Sequence, residues 1–174
     1  MTLTRFKGQN HPQQVAKKGA RPEVDERATD PVFFSELHRR FGFTLDVAAL
    51  PRNAKLPRFL TPEDDGLRTS WAGERVWCNP PYSDLWTWVR KAWAEADGCP
   101  LIVMLVPANR TEQRWWQREV EPHRDRPGSR LRVEFLPDRL RFIRHDREAV
   151  GTNERPPFGC CLLIWSGSAR GEGA

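Results

Sequence analysis

The chain is poor in several residue types. It has one tyrosine, two methionines and four cysteines among 174 residues. No two of the cysteines (Cys78, Cys99, Cys160, Cys161) have C-x-x-C spacing, and three of them sit inside apolar runs. That excludes the usual zinc and redox signatures and leaves the reading of reduced thiols in a core, with no metal expected. No apolar run is long enough to cross a bilayer, and no leader pattern is visible, so the expectation is a soluble, intracellular protein with no membrane partner. Lysine is scarce relative to arginine, and basic residues outnumber acidic ones to give a formal charge of +5. A basic balance points to an anionic partner, nucleic acid first among them, although many basic proteins bind none. The length fits one domain with a substantial core.

The most informative stretch is Val76-Trp77-Cys78-Asn79-Pro80-Pro81-Tyr82. Three apolar residues predict a short buried strand, and the two prolines end it because neither can donate to a ladder. Asn79, preceding a proline, is held extended with its carboxamide aimed off the strand end. The Pro80 carbonyl is a second rigid acceptor, and Tyr82 adds a flat ring. Two acceptors and a stacking surface suit a planar group carrying an NH2. A plain Pro-Pro turn closing a strand is the competing reading of the same residues. The stretch resembles the catalytic loop of amino-methyltransferases that use S-adenosylmethionine. That resemblance implies that Asn79, Pro80, Pro81 and Tyr82 form the catalytic set. The amino nitrogen of adenine is a poor nucleophile because its lone pair is delocalised. Acceptors at Asn79 Oδ1 and the Pro80 carbonyl would let it pyramidalise and would stabilise charge that develops only in the transition state. Holding the nitrogen in line with the methyl group supplies much of the rest.

Along the chain, residues 1–29 are polar, basic and short of large apolar side chains, which predicts a flexible arm that either touches DNA phosphates or is simply solvated. The folded domain is expected over 30–166, with a small polar tail at 167–174. Asp30 caps and Pro31 opens a helix that carries Val32, Phe33, Leu37 and Phe41 at helical spacing and closes at Gly42. Phe43 to Val47 reads as a strand running into Ala48-Ala49. An acidic residue at such a strand end, Asp46, is the expected place for a nucleotide-like ligand, with Ala48 and Ala49 permitting close backbone approach. The turn lacks the glycines that most S-adenosylmethionine enzymes carry there. A loop-rich connection then holds Asp64-Asp65-Gly66-Leu67. This motif resembles the acidic segment that contacts the cofactor adenine in adenine methyltransferases, with Asp65 preferred and Asp64 the near alternative; an ordinary Asp-Asp-Gly turn competes.

Leu85, Trp88, Val89, Ala92, Trp93 and Ala96 form one helical face, with Trp86 at its margin. Leu101 to Val106 is a central strand, followed by a helix from about Glu112 to Val120. Leu131 to Leu136 alternates as a strand, with Arg139 to Phe142 as its hairpin return, and Phe158 to Trp165 is the last strand. Twelve arginines face nine acidic residues between Asn109 and Phe158. This is either a mixed solvated surface or a DNA-reading one in which Arg110, Thr111, Arg114, Arg139 and Arg141 are the candidate contacts.

The ordered set Asp30-Pro31-Val32-Phe33-Phe34, Phe43-Thr44-Leu45-Asp46-Val47-Ala48-Ala49, Asp64-Asp65-Gly66-Leu67, Trp77 to Tyr82, Leu105 to Thr111 and Leu140-Arg141-Phe142 is similar to the phage and prophage Dam-type DNA N6-adenine methyltransferases. The likeness extends from Asp30 to Trp165. It implies an α/β, Rossmann-like methyltransferase domain with a mostly parallel central sheet and a C-terminal antiparallel strand. It also implies S-adenosylmethionine as donor, a flipped adenine of double-stranded DNA as acceptor, and action in the cytoplasm of a bacterial host. Asp30, Pro31 and Phe33 would hold the methionine end of the cofactor, with Asp46, Ala48 and Asp64 or Asp65 as its other contacts. Transfer to a protein glutamine or to cytosine N4, or a DNA-binding relative without turnover, are the alternatives.

Overall fold

The computed structural model describes residues 28–140, 142–143 and 158–167. The elements are β1 (Ala28–Thr29), α1 (Pro31–Phe41), β2 (Leu45–Asp46), β3 (Arg75–Cys78), α2 (Leu85–Glu95), β4 (Leu101–Pro107), α3 (Arg114–Glu119), β5 (Leu131–Phe135), β6 (Phe142–Ile143) and β7 (Cys160–Ser166). Five strands form the main sheet in the order β2-β3-β4-β7-β5. β2, β3 and β4 are mutually parallel, and β7 is antiparallel to both β4 and β5. β5 therefore runs in the sense of the first three, and β7 alone opposes them. The expected mostly parallel sheet with a reversed last strand is what forms.

Local chemistry sets the helix ends. Asp30 Oδ1 accepts the Val32 and Phe33 amides at 2.7 and 3.3 Å, and Pro31, which has no N–H to satisfy, opens α1. Gly42 adopts φ +61° beyond the last turn, and its amide donates to the His38 carbonyl at 2.7 Å. Phe34, Leu37 and Phe41, spaced at three and four, are the buried stripe.

Strand alternation divides the core into two clusters, one on each face of the sheet. Val76, Cys78, Ile102, Met104 and Leu163 pack beneath α2 and α3 with Trp88, Val89 and Trp116. Trp77, Val103, Leu105, Leu162 and Ile164 pack against the Phe34–Leu37–Phe41 stripe of α1. The period of two is unbroken because β4 and β7, paired over seven residues, are covered on both sides. All four cysteines are buried free thiols.

Both margins of the sheet are occupied. Beside β2, the segment 58–60 runs parallel to the strand. The Asp46 amide donates to the Arg58 carbonyl at 3.0 Å, the Leu60 amide to the Asp46 carbonyl at 2.8 Å, and Phe59 bridges Asp46. Beside β5, Asp125 sits at φ +55°. Its amide donates to the Leu131 carbonyl at 3.1 Å, and its Oδ1 accepts the Val133 amide, also at 3.1 Å.

Three expectations are corrected. Regular strand geometry at Phe43 to Val47 is confined to Leu45–Asp46, although the Thr44 and Val47 amides still donate to the Arg75 and Trp77 carbonyls of β3. The helix expected over Glu112 to Val120 is shorter, Arg114–Glu119, because Arg110 to Gln113 is a turn. The described residues 139, 140 and 142 do not return against β5. Instead Phe142–Ile143 pairs antiparallel with Ala28–Thr29, because Phe142 is buried in the α1-side cluster, away from the margin that Asp125 holds. Ala28 and Thr29, read from sequence as the end of the arm, form a strand. The rest of that arm, Arg141, the loop 144–157 and the tail from 168 lie outside the described residues. Among the described residues no helix is long and apolar enough to cross a membrane.

Candidate active site

The parallel register Leu45↔Val76 and Asp46↔Trp77 brings the carboxyl ends of β2 and β3 to one level. Of the residues that leave these ends, Val47, Ala48, Ala49, Asn79 and Pro81 face a common space, as open α/β sheets place their ligands. A cavity of about 440 Å3 lies there, between the Val47–Leu50 turn, the Leu60–Leu67 loop and the start of α2. Its volume is that of a small-molecule site. Asn79, Pro81, Ala48 and Asp65 line it, as do Asp84, the residue capping α2, and Trp88. Gly66 forms part of the wall. A Cβ at that position would lie 2.3 Å from the Val47 carbonyl oxygen, so only glycine allows this approach of the loop to the β2 turn. Trp71 fixes the same loop from beneath, its Nε1 donating to the Gly66 carbonyl at 2.9 Å.

A small polar niche of about 30 Å3 adjoins the cavity and shares Ala48, Asn53 and Asn79 with it. Asp46, Lys55 and Thr29 line the niche. Asp46 is 2% exposed, and its carboxylate accepts the Lys55 amide at 3.0 Å and, more weakly, the Ala48 amide at 3.4 Å. Burial pushes its pKa up to about 6, and the two amides limit the rise. Burial lowers the pKa of Lys55, against the opposing pull of the Asp46 and Asp30 carboxylates. The niche thus holds an acid and a base at the end of the apolar cavity.

The other sequence candidates fall elsewhere. Asp64 is exposed and closes its own turn, accepting the Thr61 amide and hydroxyl at 2.8 Å each, while its neighbour Asp65 faces the cavity. Asp30 is engaged as the α1 cap, Pro31 is exposed and Phe33 half-buried, and none of the three lines the cavity. Their neighbours Ala28 and Thr29 reach the niche instead. Pro80 is buried. The Tyr82 ring turns towards the sheet and lies across Phe142 and Phe158 at centroid distances of 6.5 and 6.3 Å. Its hydroxyl is buried beside Cys160 without a well-formed hydrogen bond among the described residues. Burial raises its pKa well above the ordinary tyrosine value. Arg110 donates from Nη1 to the Tyr82 carbonyl at 2.8 Å, bracing the turn from the loop after β4. The Thr111 carbonyl accepts Gln117 Nε2, Arg114 lies over Trp86, and Arg139 is exposed.

Lys55, Asn53, Gly66 and Asp84 are site residues that sequence reasoning did not single out. Lys55 and Asn53 lie in a connection with no periodic pattern, which folds back beside β2 through long-range backbone bonds. Asp84 carried a legible signal as the residue before a helical face.

A family model described as DNA N-6-adenine-methyltransferase (Dam) matches residues 17–167. A DNA N-6-adenine-methyltransferase of Haemophilus phage HP1 (strain HP1c1) is 37% identical over 59 residues, which is 34% of this chain and 34% of that protein. One of Escherichia phage T1 is 33% identical over 107 residues, 60% of this chain and 42% of that protein. The chain therefore spans between a third and a half of the length of these relatives. With its sheet, its strand-end cavity and most of its length inside the matched region, the chain belongs to the Dam family of DNA N-6-adenine-methyltransferases.

Proposed function

We propose that the chain transfers a methyl group from S-adenosylmethionine to the N6 amino group of an adenine extruded from double-stranded DNA, on a Rossmann-like methyltransferase fold. The observation that carries this reading is the opening of Asn79 onto the same cavity as Ala48 and Asp65, beside the niche of buried Asp46. The donor set fits the cofactor. Asp46 offers an anion for the α-ammonium of the methionine moiety, and Lys55 offers a cation for its carboxylate. The apolar walls formed by Leu60, Leu67 and Trp88 suit an adenine ring, with Asp65 as the polar contact at that end. When bound, S-adenosylmethionine supplies a methyl group activated by its sulfonium.

Asn79 Oδ1 and the Pro80 carbonyl accept the two N–H bonds of the adenine amino group and turn its lone pair towards the cavity. Neither acceptor needs to move during the reaction, so their stabilisation of the developing charge is preorganised. Extruding the base costs a few kcal/mol, and stacking on the part of the Tyr82 ring not packed against Phe142 and Phe158 offsets roughly 1–3 kcal/mol of it. Arg110, through the Tyr82 carbonyl, is a positioning residue for this turn. The phage origin of the relatives supports a phage- or prophage-encoded enzyme working in a bacterial cytoplasm.

Incubation with methyl-labelled S-adenosylmethionine and duplex DNA, followed by nucleoside analysis, tests the reading. The expected product is N6-methyladenine, lost in Asn79→Ala while that variant still unfolds at the wild-type temperature. Label in protein or in cytosine, or full turnover by the Asn79→Ala chain, overturns it.

A further inference from the structure

Five arginines of the described residues are neutralised within the chain. Arg40 and Arg132 pair with Glu134, Arg58 with Glu74, Arg124 with Glu121 and Arg130 with Asp97. Arg39, Arg68, Arg90, Arg126 and Arg139 are exposed and form no salt bridge among the described residues, and Arg114 and Arg118 differ from them in sharing one aromatic ring. Both are exposed, and among the described residues neither forms a salt bridge. They stand one turn apart on α3, and both lie over the ring of Trp86, in the first turn of α2. Their guanidinium carbons are 5.3 and 5.9 Å from the ring centroid. Between Arg110 and Arg118 three arginines are set against the single Glu112.

A tryptophan on the hydrophilic margin of a helix, held beneath two unneutralised arginines, is a charged platform. Contact with the indole restrains guanidinium groups that would otherwise be mobile and leaves their N–H forks for an oxyanion. Arg114 and Arg118 are one helical turn apart, so they present two forks side by side. The platform is linked to the cavity through the chain, on the face of α2 opposite to the one that Asp84 and Trp88 turn to the cavity. Trp86 follows the cavity residue Asp84 by two positions, and α3 follows directly on the loop from which Arg110 braces Tyr82.

We infer that Trp86, Arg114 and Arg118 form a phosphate clamp that grips the backbone of duplex DNA beside the extruded nucleotide. This deepens the proposed function and rests on it for the identity of the anion. The clamp is a positioning contact, independent of base identity, because phosphates carry no sequence information.

The test is binding of the full-length chain to a mixed-sequence fluorescent duplex, by anisotropy, over a salt series without cofactor. The slope of log affinity against log salt reports the number of phosphates neutralised, at about 0.9 per contact. Arg114→Gln/Arg118→Gln is expected to lower that slope by about 2, with the thermal unfolding midpoint unchanged. Arg114→Lys/Arg118→Lys is expected to restore the slope with weaker binding, since the charge returns without the fork. Trp86→Leu is expected to weaken binding several-fold. A wild-type slope in the folded double glutamine variant overturns the clamp. The readout does not involve methyl transfer: a chain that shows the slope change but never labels DNA retains the clamp and loses the proposed activity. The reverse pattern loses the clamp alone.

Discussion

The turn after β3 has two sides with different duties. The side chains of Asn79 and Pro81 open onto the cavity, whereas the Pro80 ring is buried and the Tyr82 ring is wedged against Phe142 and Phe158, the Pro80 carbonyl being left to its role as acceptor. Within four successive residues, one side is given to ligand and the other to anchorage. A rigid acceptor is useful only if its neighbours cannot shift, and the anchored side supplies that rigidity from the sheet itself. The side chains on the two sides should therefore fail differently when removed.

Asn79→Ala tests the open side and carries the largest expected effect, a loss of about 100- to 1,000-fold in turnover, as for removal of one preorganised transition-state partner. Single-turnover kinetics would show it, with thermal stability unchanged; a matching fall in stability would erase the distinction between the sides. Tyr82→Ala tests the anchored side. It should cost about 2–4 kcal/mol of stability, at the lower end for large-to-small substitution because the ring is only half-buried, and denaturant titration measures it. It should also weaken base capture, read by 2-aminopurine fluorescence.

Next in size is Asp46→Ala, expected to weaken S-adenosylmethionine binding by about 10- to 100-fold, the worth of one charge-assisted contact. Calorimetry across pH sharpens this. Burial holds the Asp46 pKa at about 6 in the folded chain, above the ordinary aspartate value of 3.8. The folded chain therefore takes up protons more readily between those values, and the site destabilises the ligand-free fold as pH rises through about 4 to 6. The same ionisation creates the anion assigned to the ammonium group. Cofactor affinity should climb up to about pH 6 while the unfolding temperature of the free protein slips slightly over the same interval. A flat affinity would remove Asp46 from the site. The smallest effect belongs to Tyr82→Phe. Deleting a buried hydroxyl that lacks a well-formed bond should change stability by less than about 1 kcal/mol, in the stabilising direction. A clear loss would show that the hydroxyl holds a partner.

Much of this was legible in the residues themselves. The Asp30-Pro31 cap and Gly42 closure frame α1, the apolar run at Leu101 marks the covered centre of the sheet, and Asn-Pro-Pro-Tyr marks the end of β3. These signals are local, set by backbone preference and side-chain period within a few residues. The missed features are pairings between distant segments. The bonds of Arg58 and Leu60 to Asp46 put Lys55 in the niche, and Phe142–Ile143 chooses Ala28–Thr29 over the nearer β5. No periodic pattern encodes such choices, because burial decides them only once the sheet exists. The contact of Trp86 with α3 is of the same kind: sequence placed the tryptophan at a helix margin, and only packing between helices supplied its arginines.

The two flanking strands of the five-stranded sheet, β2 and β5, are both covered along their outer sides. An open ribbon of backbone donors and acceptors is an invitation to a neighbouring molecule to add itself strand by strand. Here the 58–60 segment answers the ladder on one flank, and Asp125, with its amide and carboxylate, answers it on the other. Among the described residues, extension of the five-stranded sheet by a further copy is therefore blunted at both of its margins.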